Sequence, residues 1–512
     1  MPAERRLDRA ALAIVAAATL FHVGYAGLFA LSPQEAYYWT WSRHLDLSYF
    51  DHPPLVAWTI RAATALFGES ERAIRLAAAF HSTVLSAFLW LATRRLFGSR
   101  AALVAVAAAA AVPLFSLGQV IPTPDGPLLS GWAMAFYFTV RALDEERPAW
   151  LLAAGAATGW AILGKYTGFL LFPQLLLALA LDPRGRRMLR TVWPWAGAAV
   201  ALAAFSPVVV WNLRHALESF AFQTTGRASA FSLRPVLVAR YVGLQIALVT
   251  PVVLGFLVEA VVTAIRRRED ARFRLCAIFS APLLLVATAI SPFHWVKGNW
   301  LAAAYPTALA AAAALYVSRA GLPRRLASWG FVLAAAGAVY VHLVPVAPAI
   351  PFPARDEGSS GWHELADRAG SELAALPAGA LVVGCNYKVS AELAYYLPGR
   401  PETRSVELMG ENGLQFGVDV RPAAYAGREA LLVLDERERN ACARRAEACA
   451  PLEPLDPLTV HRGAAKVTTF RFWRCRYLGP PGVPVAAPAA APVSAPVSAP
   501  AAAASAAAPS GR

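Results

Sequence analysis

The stretch LSPQEAYYWTWSRHLDLSYFDHPPL, residues 31–55, decides how this chain is read. It follows directly on the apolar run Ala11 to Leu31 and combines Glu35, Asp51, His52, a proline pair and a dense aromatic cluster. Groups that titrate or bind anions, held among rings beside a membrane span, mark a site rather than a linker. The plain alternative is an interfacial helix whose Tyr and Trp form an aromatic belt. The acids argue against a simple belt.

Working outward, the 512 residues are 57% hydrophobic and 16% charged, and long Ala/Leu/Val runs recur from residue 10 to about residue 350. That composition is that of a polytopic membrane protein. The first run follows Arg5, Arg6 and Arg9 but continues into the aromatic cluster without a small-residue processing site, so it is expected to stay as the first span. Length and polar interruption place spans near residues 10–31, 72–93, 101–118, 126–141, 149–164, 166–181, 191–211, 236–264, 272–290, 300–318 and 326–347. The expected fold is thus a polytopic α-helical membrane protein of about 11 transmembrane helices. Juxtamembrane helices lie in its first extracytoplasmic loop, and a small C-terminal α/β domain follows.

The formal charge of +14 invites a nucleic-acid reading, but its distribution argues for no nucleic acid. Arginines cluster in alternate connections: Arg5/6/9, Arg94/95/100, Arg141/147, Arg184/186/187/190, Arg266/267/268/272/274 and Arg319/324/325. The other connections are longer and hold far fewer cations. This is the positive-inside asymmetry, and it sets a cytoplasmic amino terminus. An odd number of spans then puts everything after residue 350 outside, on the side that also carries Glu35, Asp51, His52, Asp125 and His294. The expected location is the bacterial inner membrane, multi-pass, with an extracytoplasmic C-terminal domain.

The transmembrane domain is read as residues 1–350. From 351 to 478 the composition turns soluble, with strand-like ALVVGCNY (380–387) and ALLVLDE (430–436) and helical WHELADRAGSELAAL (362–376). Residues 479–512 form a Pro/Ala/Ser tail that cannot bury a core and is expected to be disordered. Cys385, Cys442, Cys449 and Cys475 lie in the soluble part and suit two disulfides in an oxidising compartment, with three pairings open. Their spacing lacks a CxxC pair, which argues against zinc.

Only four of the 47 basic residues are lysines, and Lys165 and Lys297 are the two in the membrane half. A charge inside an apolar stretch, as at Lys165, calls for a phosphate or an acidic partner; a snorkelling lysine is the plain alternative. The segment HWVKGNW places His294, Trp295, Lys297, Asn299 and Trp300 within seven residues. Rings with polar partners suit a sugar or a phosphate neck, and equally an interfacial belt.

The string QEAYYWTW…YFDHPPL, followed by PTPDGPL (122–128), GKYTGFLL (164–171) and HWVKGNWLAAAYP (294–306), resembles the membrane glycosyltransferases of the C superfamily. The likeness is to the bacterial branch related to protein O-mannosyltransferases, the lipid A aminoarabinose transferase and the galacturonosyltransferases of rhizobial lipopolysaccharide. It covers most of residues 10–320. NYKVSAELAYYLPG (386–399) is similar to the less uniform extracytoplasmic tail of these enzymes.

The resemblance implies an inverting transferase. It would take a sugar from a polyprenyl-phosphate donor and pass it to a lipid, glycan or protein acceptor on the outer face of the inner membrane, among membrane lipids. Relatives often begin the first loop with Asp-Glu, whereas this chain has Gln34-Glu35. Glutamine takes no proton, so the general base falls to Glu35 or Asp51. Glu35 is favoured because it adjoins the first span; its plain alternative is a first-turn acid on a helix. In the resemblance Asp125 joins the catalytic acids. His52 stands where relatives carry a phosphate-holding lysine and joins Lys165 and Lys297 on the donor phosphate. Tyr37, Tyr38, His294, Trp295, Asn299 and Trp300 are the expected substrate contacts. No Gly-rich nucleotide cradle or DxD-like signature stands out. No cofactor and no metal is therefore the expectation, although Glu35 and Asp51 could gather a divalent ion. The rival readings are a transporter or flippase of lipid-linked sugars, which would show matching broken halves, and a non-catalytic assembly subunit.

Overall fold

The computed structural model describes residues 2–224, 232–353, 358–438 and 442–481. The tail from 482 onward lies outside the described residues. Among the described residues, six helices are long and apolar enough to cross a membrane. They are α1 (Pro2–Tyr25), α4 (Glu71–Phe97), α11 (Trp193–Arg214), α15 (Ala271–Ile290), α16 (Tyr305–Ser318, counted from the preceding turn at Gly298) and α17 (Gly321–Val346). A seventh candidate is the pair α13 (Pro235–Val249) and α14 (Pro251–Arg266), bent by 102° at Thr250-Pro251. Pro251 removes a helical N–H donor, and Thr250 takes a positive φ of 67° there, so the single span expected over 236–264 is broken.

Further helices fill the bundle: the short α5 (Ser99–Ala111), α6 (Pro113–Gly118), α8 (Trp150–Gly164) and α9 (Leu171–Leu181), and the 21-residue α7 (Asp125–Glu145). The chain is a polytopic helical membrane protein. Its outer helices expose large apolar side chains to the surroundings, Leu20, Leu213, Val236 and Trp329 among them, as lipid-facing surfaces do.

The inner helices approach closely through small residues. A Cβ on Gly155 of α8 would meet the Gly197 carbonyl of α11 at 2.1 Å, and one on Gly131 of α7 would meet the Ala161 nitrogen of α8 at 2.6 Å. Such contacts substitute for a hydrophobic driving force inside lipid. Gly164 ends α8 against the start of α7, where a Cβ would meet the Leu128 nitrogen at 2.8 Å. The last turn of α8 is thereby pressed onto the first turn of α7.

Between α1 and α4 lie two helices of the first loop, α2 (Pro33–Arg43) and α3 (Leu55–Phe67). Shorter pieces follow elsewhere: α10 (Pro183–Met188) and α12 (Glu218–Thr224). After α17 comes the α/β unit: α18 (Trp362–Ala374), β1 (Leu381–Gly384), α19 (Tyr387–Tyr396), β2 (Glu429–Asp435), α20 (Arg445–Ala448), β3 (Cys449–Arg462) and β4 (Ala465–Tyr477). Sheet order is β1-β2-β4-β3, with β1 and β2 parallel and the rest antiparallel. β3 carries Pro451, Pro454 and Pro457, and it occupies the sheet edge, where missing donors are tolerated. Cys385 pairs with Cys442 and Cys449 with Cys475, which selects one of the three open pairings.

The α/β unit is joined to the membrane bundle by polar contacts and by a shared apolar core. Arg462 donates to the carbonyls of Val344, Ala347 and Ile350, satisfying the end of α17. Ala391, Ala394 and Tyr395 of α19 pack with Ala36, Tyr37, Trp39 and Ile60 of the first loop.

Candidate active site

α2 begins at Ser32 with Pro33 in its first turn, and Glu35 turns back to accept the Ser32 N–H at 2.8 Å. The rest of the helix is a run of rings. Tyr37, Tyr38, Trp39 and Trp41 are all buried, against α19 on one side and the returning loop on the other. That loop is pinned by Asp46, which accepts the Trp211 indole N–H at 2.7 Å, and by the Tyr49 phenol, which donates to the Trp41 carbonyl at 3.0 Å. Pro53 and Pro54 then end it at the start of α3, leaving Asp51 and His52 half-buried at the turn.

Glu35, favoured as the general base from the sequence, is closed off from solvent. It is 0% exposed, and Arg75 of α4, itself 0% exposed, binds it through two nitrogens at 2.7 and 3.1 Å. Arg75 also donates to the carbonyls of Ala26, Phe29 and Ala30, closing the end of the α1 segment. Both Glu35 oxygens are engaged, and no solvent reaches them. Nearby, Glu392 of α19 is fully buried with neither oxygen hydrogen-bonded, and burial together with the charge of Glu35 holds its carboxyl well above the usual range.

Asp51 stands differently. The Tyr37 phenol points at its Oδ1 from 3.4 Å and accepts the Gln415 backbone N–H at 3.0 Å. Burial, and then the Asp51 charge, raise the Tyr37 phenol well above its ordinary value, so it stays a donor. Gln223 donates to the Asp51 carbonyl, and Gln415 accepts the Phe50 N–H at 2.7 Å. His52 lies edge-on to Tyr38 with ring centres 6.5 Å apart. Gln34 is exposed and reaches the Tyr387 phenol of α19 at 3.0 Å.

Asp125, the first residue of α7, is bound by the Lys165 ammonium at 2.7 Å and by the Asn299 amide at 2.5 Å. Lys165 and Asp125 side chains are each 12% exposed. The acidic partner called for by a lysine at this depth is Asp125, delivered by the Gly164 contact between α8 and α7. Beside this trio lies a cavity of about 230 Å³, walled by Leu85, Phe115, Ile121 and Leu129 with His81, Thr123, Asp125 and Asn299. Lys297 is exposed at the start of the turn Gly298–Ala304 that carries Asn299. His294 is half-buried, Trp300 packs on the main core, and Trp295 is 51% exposed beneath the Arg240 guanidinium at 4.4 Å. The fold thus joins Asp125, Lys165 and Asn299 directly, and it joins Tyr37 to Asp51. Trp295 sits at the surface, as an interfacial ring does. Among the described residues no group of three or more His, Cys, Asp or Glu side chains is placed to hold a metal.

Gln415, Tyr387, Gln223 and Arg75 went unnoticed in the sequence. Each is far in sequence from the loop it serves, and of the four only Tyr387 lies in a local pattern, NYKVSAELAYYLPG.

The profile of the dolichyl-phosphate-mannose-protein mannosyltransferase family matches residues 51–211. The crystal structures of ArnT from Cupriavidus metallidurans share the architecture: TM-score 0.63 for the apo state and 0.65 for the state bound to undecaprenyl phosphate. Each is 18% identical and covers 90% of this chain and 97% of ArnT. The chain thus shares the fold of a membrane glycosyltransferase, and over residues 51–211 it is similar in sequence to the mannosyltransferase family. A sequence relative is the lipid A galacturonosyltransferase RgtD of Rhizobium johnstonii, 30% identical over 306 residues, 58% of this chain. The match spans 63% of that enzyme's length, less than two thirds.

Proposed function

We propose that this protein transfers a sugar, with inversion, from a polyprenyl-phosphate donor to a lipid acceptor of the cell envelope. Two observations support the reading: Asp51 lies under the Tyr37 phenol with His52 next to it in the chain, and the Asp125–Lys165–Asn299 trio lies beside an apolar chamber. ArnT, whose fold this is, has been crystallised with undecaprenyl phosphate, and the sequence relative is named for lipid A.

In this reading Asp51, rather than Glu35, is the general base. Its carboxylate takes the acceptor hydroxyl proton as that oxygen attacks the anomeric carbon. The bond from the anomeric carbon to the phosphate oxygen breaks, and polyprenyl phosphate leaves as a monoester. His52, Lys165 and Lys297 stabilise the charge on that leaving phosphate. Asp125, itself steadied by the Asn299 amide, holds the Lys165 ammonium in place, and Glu35 is structural. The support for preferring Asp51 is that Glu35 is closed off by Arg75.

The finer topology belongs to the same proposal: about 11 membrane crossings, with the shorter apolar helices included, and the α/β unit outside an inner membrane. Residues 351–478 form that unit and 479–512 its tail. Two disulfides in the unit suit an oxidising compartment. Reporter fusions at residues 360 and 270 should lie in opposite compartments. Incubating purified protein with lipid A and a labelled undecaprenyl-phosphate sugar tests the activity. Transfer supports the reading, and failure across galacturonosyl, aminoarabinosyl and mannosyl donors refutes it.

A further inference from the structure

A second cleft, of about 490 Å³, opens between α2 with its loop and residues 401–425 of the α/β unit. Its size falls in the range of small-molecule sites. Its walls mix ring faces with charges. Trp41 and Tyr49 stack 4.6 Å apart at 15°. Across from them, Arg404 lies 4.9 Å over Tyr425.

The charges are unevenly committed. Asp46 accepts the Trp211 indole and the Leu47 N–H, Asp419 faces His215 at 3.2 Å, and Glu402 faces Arg404 at 3.1 Å and His44 at 3.8 Å. Each of the three carboxylates thus has a partner on the protein, while the Glu402 and Asp419 side chains stay exposed. Arg421 has no ion-pair partner among the described residues, and Arg43 is held only by the Arg400 carbonyl and the Trp39 ring. A further donor is unused: the Trp41 indole N–H is buried without a hydrogen-bond partner. Spare donors and cations between ring faces suit a sugar that carries an anionic group.

The cleft adjoins the proposed base. Gln415 forms part of its wall, and the same residue donates its N–H to the Tyr37 phenol that touches Asp51. We propose that this cleft seats an anionic saccharide, the phosphate- or carboxylate-bearing head group of the acceptor, with Arg421, Arg404 and Trp41 as its contacts. The inference rests on the transferase reading for the word acceptor, and on the cleft alone for the binding.

The test is titration calorimetry on the purified full chain in detergent. The probe is the fully deacylated, bisphosphorylated glucosamine disaccharide of lipid A, set against its dephosphorylated form and against intact lipid A. The disaccharide should bind, and loss of its phosphates should weaken binding about tenfold or more. Arg421→Ala and Arg404→Ala should do the same, and Trp41→Phe, which keeps the ring, should weaken it several-fold, while undecaprenyl phosphate binds all variants as before. Equal affinity for deacylated and acylated probes would assign the seat to a free glycan, and tighter acylated binding to a membrane lipid; either supports the cleft. No binding by the parent protein, indifference to the phosphates, or unchanged affinity in Arg421→Ala and Trp41→Phe overturns it. The transferase reading fails separately: cleft-dependent binding without any sugar transfer refutes that reading alone, and transfer with an unchanged acceptor KM in Arg421→Ala refutes the cleft alone.

Discussion

Arg75 grips Glu35 at two points, 2.7 and 3.1 Å, with both side chains closed to solvent. Removing one partner of such a pair strands a buried charge and costs about 3–5 kcal/mol. Glu35→Ala should therefore lower thermal stability sharply. Replacing both residues, with Glu35→Leu and Arg75→Met, should recover part of the loss. Full recovery is not expected, because Arg75 also serves three carbonyls of the α1 end. A Glu35→Ala protein that melts like the parent would remove the structural role.

Asp51 predicts the opposite pattern. Asp51→Asn keeps size and the contact with Tyr37 but takes away the proton acceptor, so turnover should fall by roughly 100-fold or more. The melting temperature should stay within a degree or two of the parent. Asp51→Asn with normal turnover would return the base to another group.

The contrast marks how far sequence reading reached. Each apolar run falls on a helix or a helix pair, and six of those helices are long and apolar enough to cross a membrane among the described residues, because burial in lipid demands long uninterrupted stretches; the 236–264 run was read as continuous although Thr250-Pro251 breaks it. The soluble segments 362–376, 380–387 and 430–436 fell on α18, β1 and β2. The β3–β4 hairpin was not read, since prolines in β3 argue against a strand until the sheet edge is known. For the site, Glu35, Asp51 and Asp125 were legible as acids in the connections opposite the arginine clusters. The partner of Glu35 was not, because Arg75 lies 40 residues on, inside an apolar helix that gives no local sign of where its guanidinium points.

Lys165 and Asp125 form the next testable unit. Contacts to a phosphate are worth about 1.5–3 kcal/mol each, or roughly 10- to 150-fold in affinity. Alanine at His52, Lys165 or Lys297 should weaken binding of undecaprenyl phosphate within that range and leave the acceptor probe unaffected. Lys165→Arg should restore charge without full activity, since a planar fork does not replace a compact ammonium against Asp125 and Asn299. Unchanged affinity in all three alanine variants would leave Lys165 as a structural partner of Asp125 only.

The α/β unit should report pH through Glu407. Burial pushes its carboxyl up to about 7, against the opposing N–H of Ser405, which lies 2.8 and 3.0 Å from its two oxygens. The folded state thus holds its proton more tightly than the unfolded chain does. The stability this contributes is fully present below about 4.5, declines as pH rises, and is lost above about 7. Over that span the change amounts to roughly 3 kcal/mol at about 1.4 per unit. Glu392, buried without a partner, acts with the same sign. Glu407→Gln keeps an acceptor for Ser405 and removes the charge. Its hydrogen exchange at Leu432 and Leu434, which pack in the core beside Glu407's neighbours Val406 and Leu408, should be slower than the parent's at pH 8 and similar at pH 5. A difference of equal size at both values would mean that the substitution acts through packing and not through the proton.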